Sequence, residues 1–173
     1  MEKFVLGGGC FWCLDAVYRN VMGVSSSIAG YAGGQVANPT YEQICHMETG
    51  HAEVLEVTFD PEKVSADSIL DIFFTLHDPT QYNRQGADVG SQYRSTMMYA
   101  DESQKQLFDS SVLRAKEVWG EGVVTEVVPL DIFYEAESYH QDYFAKNPNQ
   151  GYCLAVVSPK LAKVRASFSS LMR

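Results

Sequence analysis

Three consecutive glycines, Gly7-Gly8-Gly9, divide two stretches of opposite character at the start of the chain. Before them, Lys3-Phe4-Val5-Leu6 reads as a short strand. After them, apolar residues fall at Leu14, Val17, Tyr18, Val21 and Met22, which is helical spacing. The glycines cannot continue the strand, so the chain turns from strand to helix within a few residues, and Cys10-Phe11-Trp12-Cys13 falls on that turn. Cys10 is therefore expected at or next to a helix N-terminus. Unpaired backbone N–H groups and the positive end of the helix dipole favour a thiolate there. The thiolate is the nucleophilic form, so chemistry is expected at this turn. Phe11 and Trp12, beside such a nucleophile, fit core packing and an apolar recognition pocket equally well.

The rest of the chain alternates strands and helices. Val24 to Tyr31 reads as a strand closed by Gly33-Gly34, and Thr40 as the N-cap of a short helix. His51 to Phe59 is a strand and Ala66 to Leu76 an amphipathic helix. His77 to Gln92 is a long polar loop, of a length usually reserved for function. Ser95 to Ala100 reads as a strand, Glu102 to Trp119 as a long helix, Val123 to Val128 as a strand and Glu137 to Ala145 as a helix. Cys153 is expected in a loop. Ser158-Pro159 reads as an N-cap with proline at the first helical position, followed by a last helix with Leu161, Val164, Phe168 and Leu171 inward. The order implies an α/β or α+β layer fold in one domain over residues 1–173.

Strand alternation places Glu53 on the face of Leu55, Val57 and Phe59, opposite Ala52, Val54, Glu56 and Thr58. A carboxyl on an apolar face loses solvation, its pKa rises, and it can act as a general acid near neutral pH. The same pattern also allows a glutamate whose carboxylate reaches water. Asp88, in the long loop, reads first as a solvated aspartate. Tyr41 and Tyr93, at loop or element ends, can donate to a polar oxygen or simply pack. Cys45 is expected to be small and buried. Cys153, in a flexible segment, is a candidate resolving thiol. Cys10, Cys13, Cys45, His46 and His51 lack the regular spacing of a zinc site, so a zinc module is a minor rival. A thioredoxin-like dithiol at Cys10 and Cys13 is the enzymatic rival, although residues 1–9 leave no room for the βαβ segment expected before it.

A formal net charge of -9 argues against a nucleic-acid or anionic-membrane surface. No apolar run approaches the roughly 18 residues of a spanning helix, and the N-terminus lacks the apolar stretch of a signal peptide. A cytoplasmic location is expected. There, four cysteines are more readily catalytic or metal-binding than a disulfide framework.

The ordered motifs resemble those of the A-type peptide methionine sulfoxide reductases. They are Gly9-Cys10-Phe11-Trp12, Gly30-Tyr31-Ala32-Gly33-Gly34, Asn38-Pro39-Thr40-Tyr41, Thr49-Gly50-His51-Ala52-Glu53 and His77-Asp78-Pro79-Thr80-Gln81. Asn83-Arg84-Gln85-Gly86, Asp88, Gly90, Gln92-Tyr93-Arg94-Ser95, Tyr139-His140-Gln141-Asp142-Tyr143 and Gly151-Tyr152-Cys153 complete the series, which covers residues 4 to about 153.

The resemblance implies an α/β fold, ferredoxin-like at its centre, with flanking helices and long coils. It implies reduction of methionine S-sulfoxide, free or in proteins. Cys10 would be the nucleophile, Glu53 the acid, Tyr41 and Tyr93 the hydroxyls on the sulfoxide oxygen, Phe11 and Trp12 the methyl pocket, and Asp88 a residue orienting substrate. A sulfenic acid on Cys10 would condense with a second thiol and be regenerated by thioredoxin, in a monomer without metal or bound cofactor. Residues from about 147 to 173 would form the recycling segment. Many relatives have glycine in place of Cys13, glutamate in place of Asp15, and a further cysteine beyond the match to Cys153. The tail here has none, which excludes a relay through two tail cysteines. The resolving thiol is therefore Cys153, which matches the recycling position, or Cys13, one helical turn from Cys10.

Overall fold

The computed structural model describes residues 1–173. Strand β1 (Glu2–Gly7) ends in the glycine turn and α1 (Phe11–Tyr18) follows, with Cys10 as its N-cap. Strand β2 (Val24–Ala32) leads through α2 (Tyr41–His46) to β3 (Ala52–Phe59), and then α3 (Ala66–Leu76). The long loop carries two short strands, β4 (Arg84–Gln85) and β5 (Asp88–Val89), paired with each other. Then come β6 (Thr96–Tyr99), α4 (Glu102–Trp119), β7 (Glu126–Pro129), β8 (Tyr134–Glu135), α5 (Tyr143–Lys146) and α6 (Ser158–Ser167).

The fold is mixed α/β, as expected. One six-stranded sheet runs β7-β6-β1-β3-β2-β8, antiparallel except for the β6–β7 pair. Within it, β6-β1-β3-β2, connected through α1 and α3, form the ferredoxin-like βαββαβ arrangement. Helices α1, α3, α4 and α6 cover one face. There Phe4, Leu6, Leu55, Val57 and Phe59 meet Leu14, Val17, Leu70, Phe73, Phe108 and Val164 in the main core. The other face holds a small cluster of Val5, Ala32, Ala52, Val54 and Met98, packed against Phe133 and Leu130.

Helix α1 is buried along nearly its whole surface, with only Trp12 partly open, which explains its apolar composition all round. Thr40 caps α2 as expected: its hydroxyl accepts from Gln43 N–H while the Gln43 side chain takes the Thr40 N–H.

Two expected elements differ. Residues 137–145 do not form one helix. Ser138–His140 is a single 3₁₀ turn, Asp142 takes a left-handed conformation (φ 55°, ψ 39°), and only Tyr143–Lys146 is helical. The cause is tertiary: the Asp142 N–H donates to the buried Asp15 Oδ2 at 2.8 Å, and aspartate tolerates the left-handed region better than most residues.

Ser158 is not an N-cap either. Helical structure begins at Gly151 and runs through a π turn, Cys153–Val157, directly into α6. Pro159 has no N–H to donate to the preceding turn, and the helix widens just before it. The same proline that signals a first helical position here sits within a longer helix. The final helix also stops at Ser167, so Phe168 and Leu171 pack beyond its end rather than along it.

Candidate active site

The register of β1 on β3 builds the site. Leu6 pairs with Leu55, so Glu53 lies two residues beyond that pair, level with the glycine turn. Gly9 turns the chain with φ +85°, and Gly8 lies so close to the His77 ring that a Cβ there would stand 2.9 Å from it. That ring is fixed from both sides: its Nδ1–H donates to Phe73 O at 2.6 Å and its Nε2 accepts from the Ser95 hydroxyl at 2.8 Å. Burial lowers its pKa to about 4, so it stays neutral.

Glu53 is 1% exposed. Its Oε1 accepts the Phe11 N–H at 3.1 Å, which ties the carboxyl to the first turn of α1 beside Cys10. Desolvation by burial raises its pKa to about 8; the Phe11 N–H opposes the shift and the charge of Asp88 adds to it. Of the two possibilities left open by the strand pattern, the buried carboxyl is the one found.

Cys10 is 9% exposed at the N-cap. The expectation of a favoured thiolate does not hold for this resting site. Burial pushes the Cys10 thiol well above its usual range, the neighbouring Glu53 and Cys13 push it further, and only the Trp12 N–H pulls it down. Desolvation here outweighs the helix terminus.

An aromatic wall surrounds Cys10. Phe11 is fully buried and lies 5.6 Å from the Tyr31 ring and 5.0 Å from that of His140. Trp12 stacks on Tyr143 at 3.7 Å, nearly parallel, and its Nε1–H donates to His140 Nδ1 at 3.0 Å. His140 therefore carries its proton on Nε2, a buried atom without a partner. Its ring meets that of Tyr41 edge-on at 4.4 Å. Residues 139–143 thus pack on Trp12 and Tyr41.

Burial raises the hydroxyl pKa values of Tyr41 and Tyr93, and the charge of an ionised Glu53 adds to the shift in both. Tyr41 is set by Glu137, which accepts its N–H at 2.8 Å and the Tyr31 hydroxyl at 2.9 Å. Asp88 is not a solvated loop residue: its Oδ2 accepts the Tyr152 hydroxyl at 2.6 Å. That hydroxyl also lies 3.9 Å from Cys13 Sγ, and the Tyr152 ring stands edge-on to Trp12 at 5.8 Å. Asp88, Tyr152, Cys13 and Trp12 therefore form one surface over the turn.

All four cysteines are unpaired. Cys13 is fully buried, and burial raises its pKa to about 11 despite Lys160 and the Tyr152 hydroxyl. Cys153 is also fully buried, inside a helical turn rather than a mobile loop. Burial pushes its thiol up. Cys45, expected to be buried, is exposed on α2 beside Tyr41, because Ile44 is the residue of that helix facing the core. No three of the His, Cys, Asp and Glu side chains converge as metal ligands, and the five residues weighed for zinc do not meet.

His140, Glu137 and Tyr31 carry structure at this site that single-residue reading missed. Tyr152 was visible only as part of Gly151-Tyr152-Cys153. Asp15 also joins the frame: 1% exposed, it accepts from Ser27 Oγ at 2.6 Å, Arg19 Nε at 2.8 Å and Asp142 N at 2.8 Å.

The peptide methionine sulfoxide reductase family model matches residues 2–171. The peptide methionine sulfoxide reductase MsrA of Clavibacter michiganensis subsp. michiganensis is 58% identical over 173 residues, covering 100% of this chain and 99% of that protein. Reduced Mxr1 from Saccharomyces cerevisiae superposes with a TM-score of 0.83 at 32% identity, covering 88% of each chain. Mxr1 in complex with Trx2 shares the fold at a TM-score of 0.59 and 24% identity, covering 82% of this chain and 84% of that one. Neither the thioredoxin-like dithiol reading nor the zinc reading is favoured by these likenesses. On its full-length match, the chain belongs to the peptide methionine sulfoxide reductase family.

Proposed function

We propose that this chain reduces methionine S-sulfoxide, free or within proteins, to methionine, and so repairs oxidative damage. The observation that carries the proposal is a buried carboxyl with a pKa of about 8, tied to the helix turn that bears Cys10. Sulfoxide oxygen leaves a sulfur only once protonated, so attack requires an acid on the oxygen side. Glu53 supplies that proton at neutral pH, and the hydroxyls of Tyr41 and Tyr93 hold the oxygen. Phe11 and Trp12 receive the methyl group, and Asp88, with Tyr152, orients the rest of the substrate. Apolar wall on one side and donors on the other read the chirality of the sulfur.

The Cys10 sulfur attacks the sulfoxide sulfur, methionine leaves, and Cys10 retains the oxygen as a sulfenic acid. A second thiol, Cys153 or Cys13, then condenses with it, releasing water and forming a disulfide. The reaction uses no metal or bound cofactor, and an external dithiol resets the disulfide. Thioredoxin is the proposed reductant; its presence with Mxr1 in a solved complex is in keeping with this. Residues 1–173 act as one domain, with residues from about 147 to 173 as its recycling segment, in a monomer. The cytoplasm is the proposed compartment, where four unpaired thiols are stable.

A single turnover of reduced protein without added reductant tests the reading. The S epimer of N-acetyl methionine sulfoxide should yield methionine with loss of two thiols, and the R epimer none. No methionine from either epimer overturns it.

A further inference from the structure

We propose that Cys13 relays the oxidation from Cys10 to Cys153, so that the disulfide presented to the external reductant is Cys13–Cys153 and not one that holds Cys10. The proposal rests on the reductase reading above and settles how its two candidate resolving thiols share the work.

Three observations place Cys13 between the other two. Cys10 is the N-cap of α1 and Cys13 stands three residues on, with its N–H donating to Cys10 O at 3.1 Å. Helical geometry sets such Cα atoms about 5 Å apart, within the range that a disulfide spans. Cys13 also lies under the recycling segment: its Sγ is 3.9 Å from the Tyr152 hydroxyl, and Cys153 begins the π turn that follows Tyr152. Finally, both Cys13 and Cys153 are fully buried in the same core as α1 and α6. An ionised Cys153 would raise the Cys13 pKa, and an ionised Cys13 that of Cys10.

Tyr152, pinned to Asp88 at 2.6 Å, stands over the turn and against Trp12. The first condensation joins two side chains one helical turn apart. The second requires local opening of the π turn, and π turns recur at functional sites.

The steps balance. Cys10–SOH and Cys13–SH give the Cys10–Cys13 disulfide and water. Cys153–SH attacks Cys13 Sγ. The Cys13–Cys153 bond forms, the Cys10–Cys13 bond breaks, and the Cys153 proton passes to Cys10, which leaves as a thiol. Two electrons then remain to be supplied by an external dithiol, which reduces Cys13–Cys153.

The test is quenched-flow peptide mapping of the full chain with excess S epimer and no reductant. Wild type should show Cys10–Cys13 first and Cys13–Cys153 after it, with Cys45 alkylatable throughout. The freed Cys10 should then reduce a second sulfoxide, giving two methionines per chain. Cys153→Ala should stop at Cys10–Cys13. In Cys13→Ala the Cys10 sulfenic acid, trapped by a cyclic dione, should persist at least about tenfold longer than in wild type. If Cys13→Ala forms Cys10–Cys153 as fast as wild type loses its sulfenic acid, the relay is overturned and the reductase stands. If wild type releases no methionine, both fall.

Discussion

At the scale of single residues, Glu53 decides whether the site works near neutral pH. A glutamate in water would be ionised there and unable to donate; burial on the core face of β3 keeps this one protonated up to about pH 8. Methionine release in a single turnover should therefore decline as pH rises through about 8. Glu53→Gln keeps an acceptor for the Phe11 N–H but has no proton to give, so it should release methionine on the order of 100-fold more slowly and without that decline. A pH profile of pre-steady-state methionine release checks both. Glu53 could be read from sequence because strand alternation depends only on local geometry. The state of Cys10 could not. A helix N-terminus is local and visible in the sequence, whereas what overrides it, desolvation in the packed core and then the charges of Glu53 and Cys13, comes together only in the fold.

At the scale of elements, Asp15 joins α1 to its surroundings. It accepts from Ser27 on β2, from Arg19 one helical turn on, and from the left-handed Asp142 that leads into α5. Asp15→Ala would leave the buried Ser27 hydroxyl and the half-buried Asp142 N–H without their acceptor and release the turn that carries His140 and Tyr143. We expect it to cost about 3 kcal/mol of stability in urea unfolding, against about 1 kcal/mol for Ser27→Ala. The same contacts explain where sequence reading stopped. The bounds of α3 and α4 were legible because a continuous apolar stripe fixed each of them. The helix expected over residues 137–145 fails because a partner more than a hundred residues away takes the Asp142 N–H. Ser158-Pro159 misleads because proline permits two settings, a first turn or a widened one, and only the packing of Cys153 and Val157 in the core distinguishes them.

At the scale of the whole molecule, the buried carboxyl has a price in stability. Its unfolded pKa is near 4.5 and its folded value about 8. Between these values the folded state binds more protons than the unfolded one, so stability falls as pH rises. Relative to Glu53→Gln, the wild type should lose thermal stability from about pH 5 to pH 8, and the gap should level off above that. Melting curves of the two proteins across this range test it; a gap independent of pH would mean that Glu53 is ionised in the folded chain.

The segment that carries Cys153 is fastened at both ends to one place. At its start, Asp142 is held by Asp15 and lies 3.6 Å from the Arg19 guanidinium. At its end, Arg173 bonds to the carbonyl oxygens of Arg19 and Val24, and Met172 pairs with Val21. Cys153 is thus part of a closed loop and not of a free tail. Its local concentration near α1 is set by that loop and not by the amount of protein present. Internal disulfide formation should proceed at the same rate whether the cell holds few copies or many, and dilution should slow only the encounter with substrate and with the external reductant.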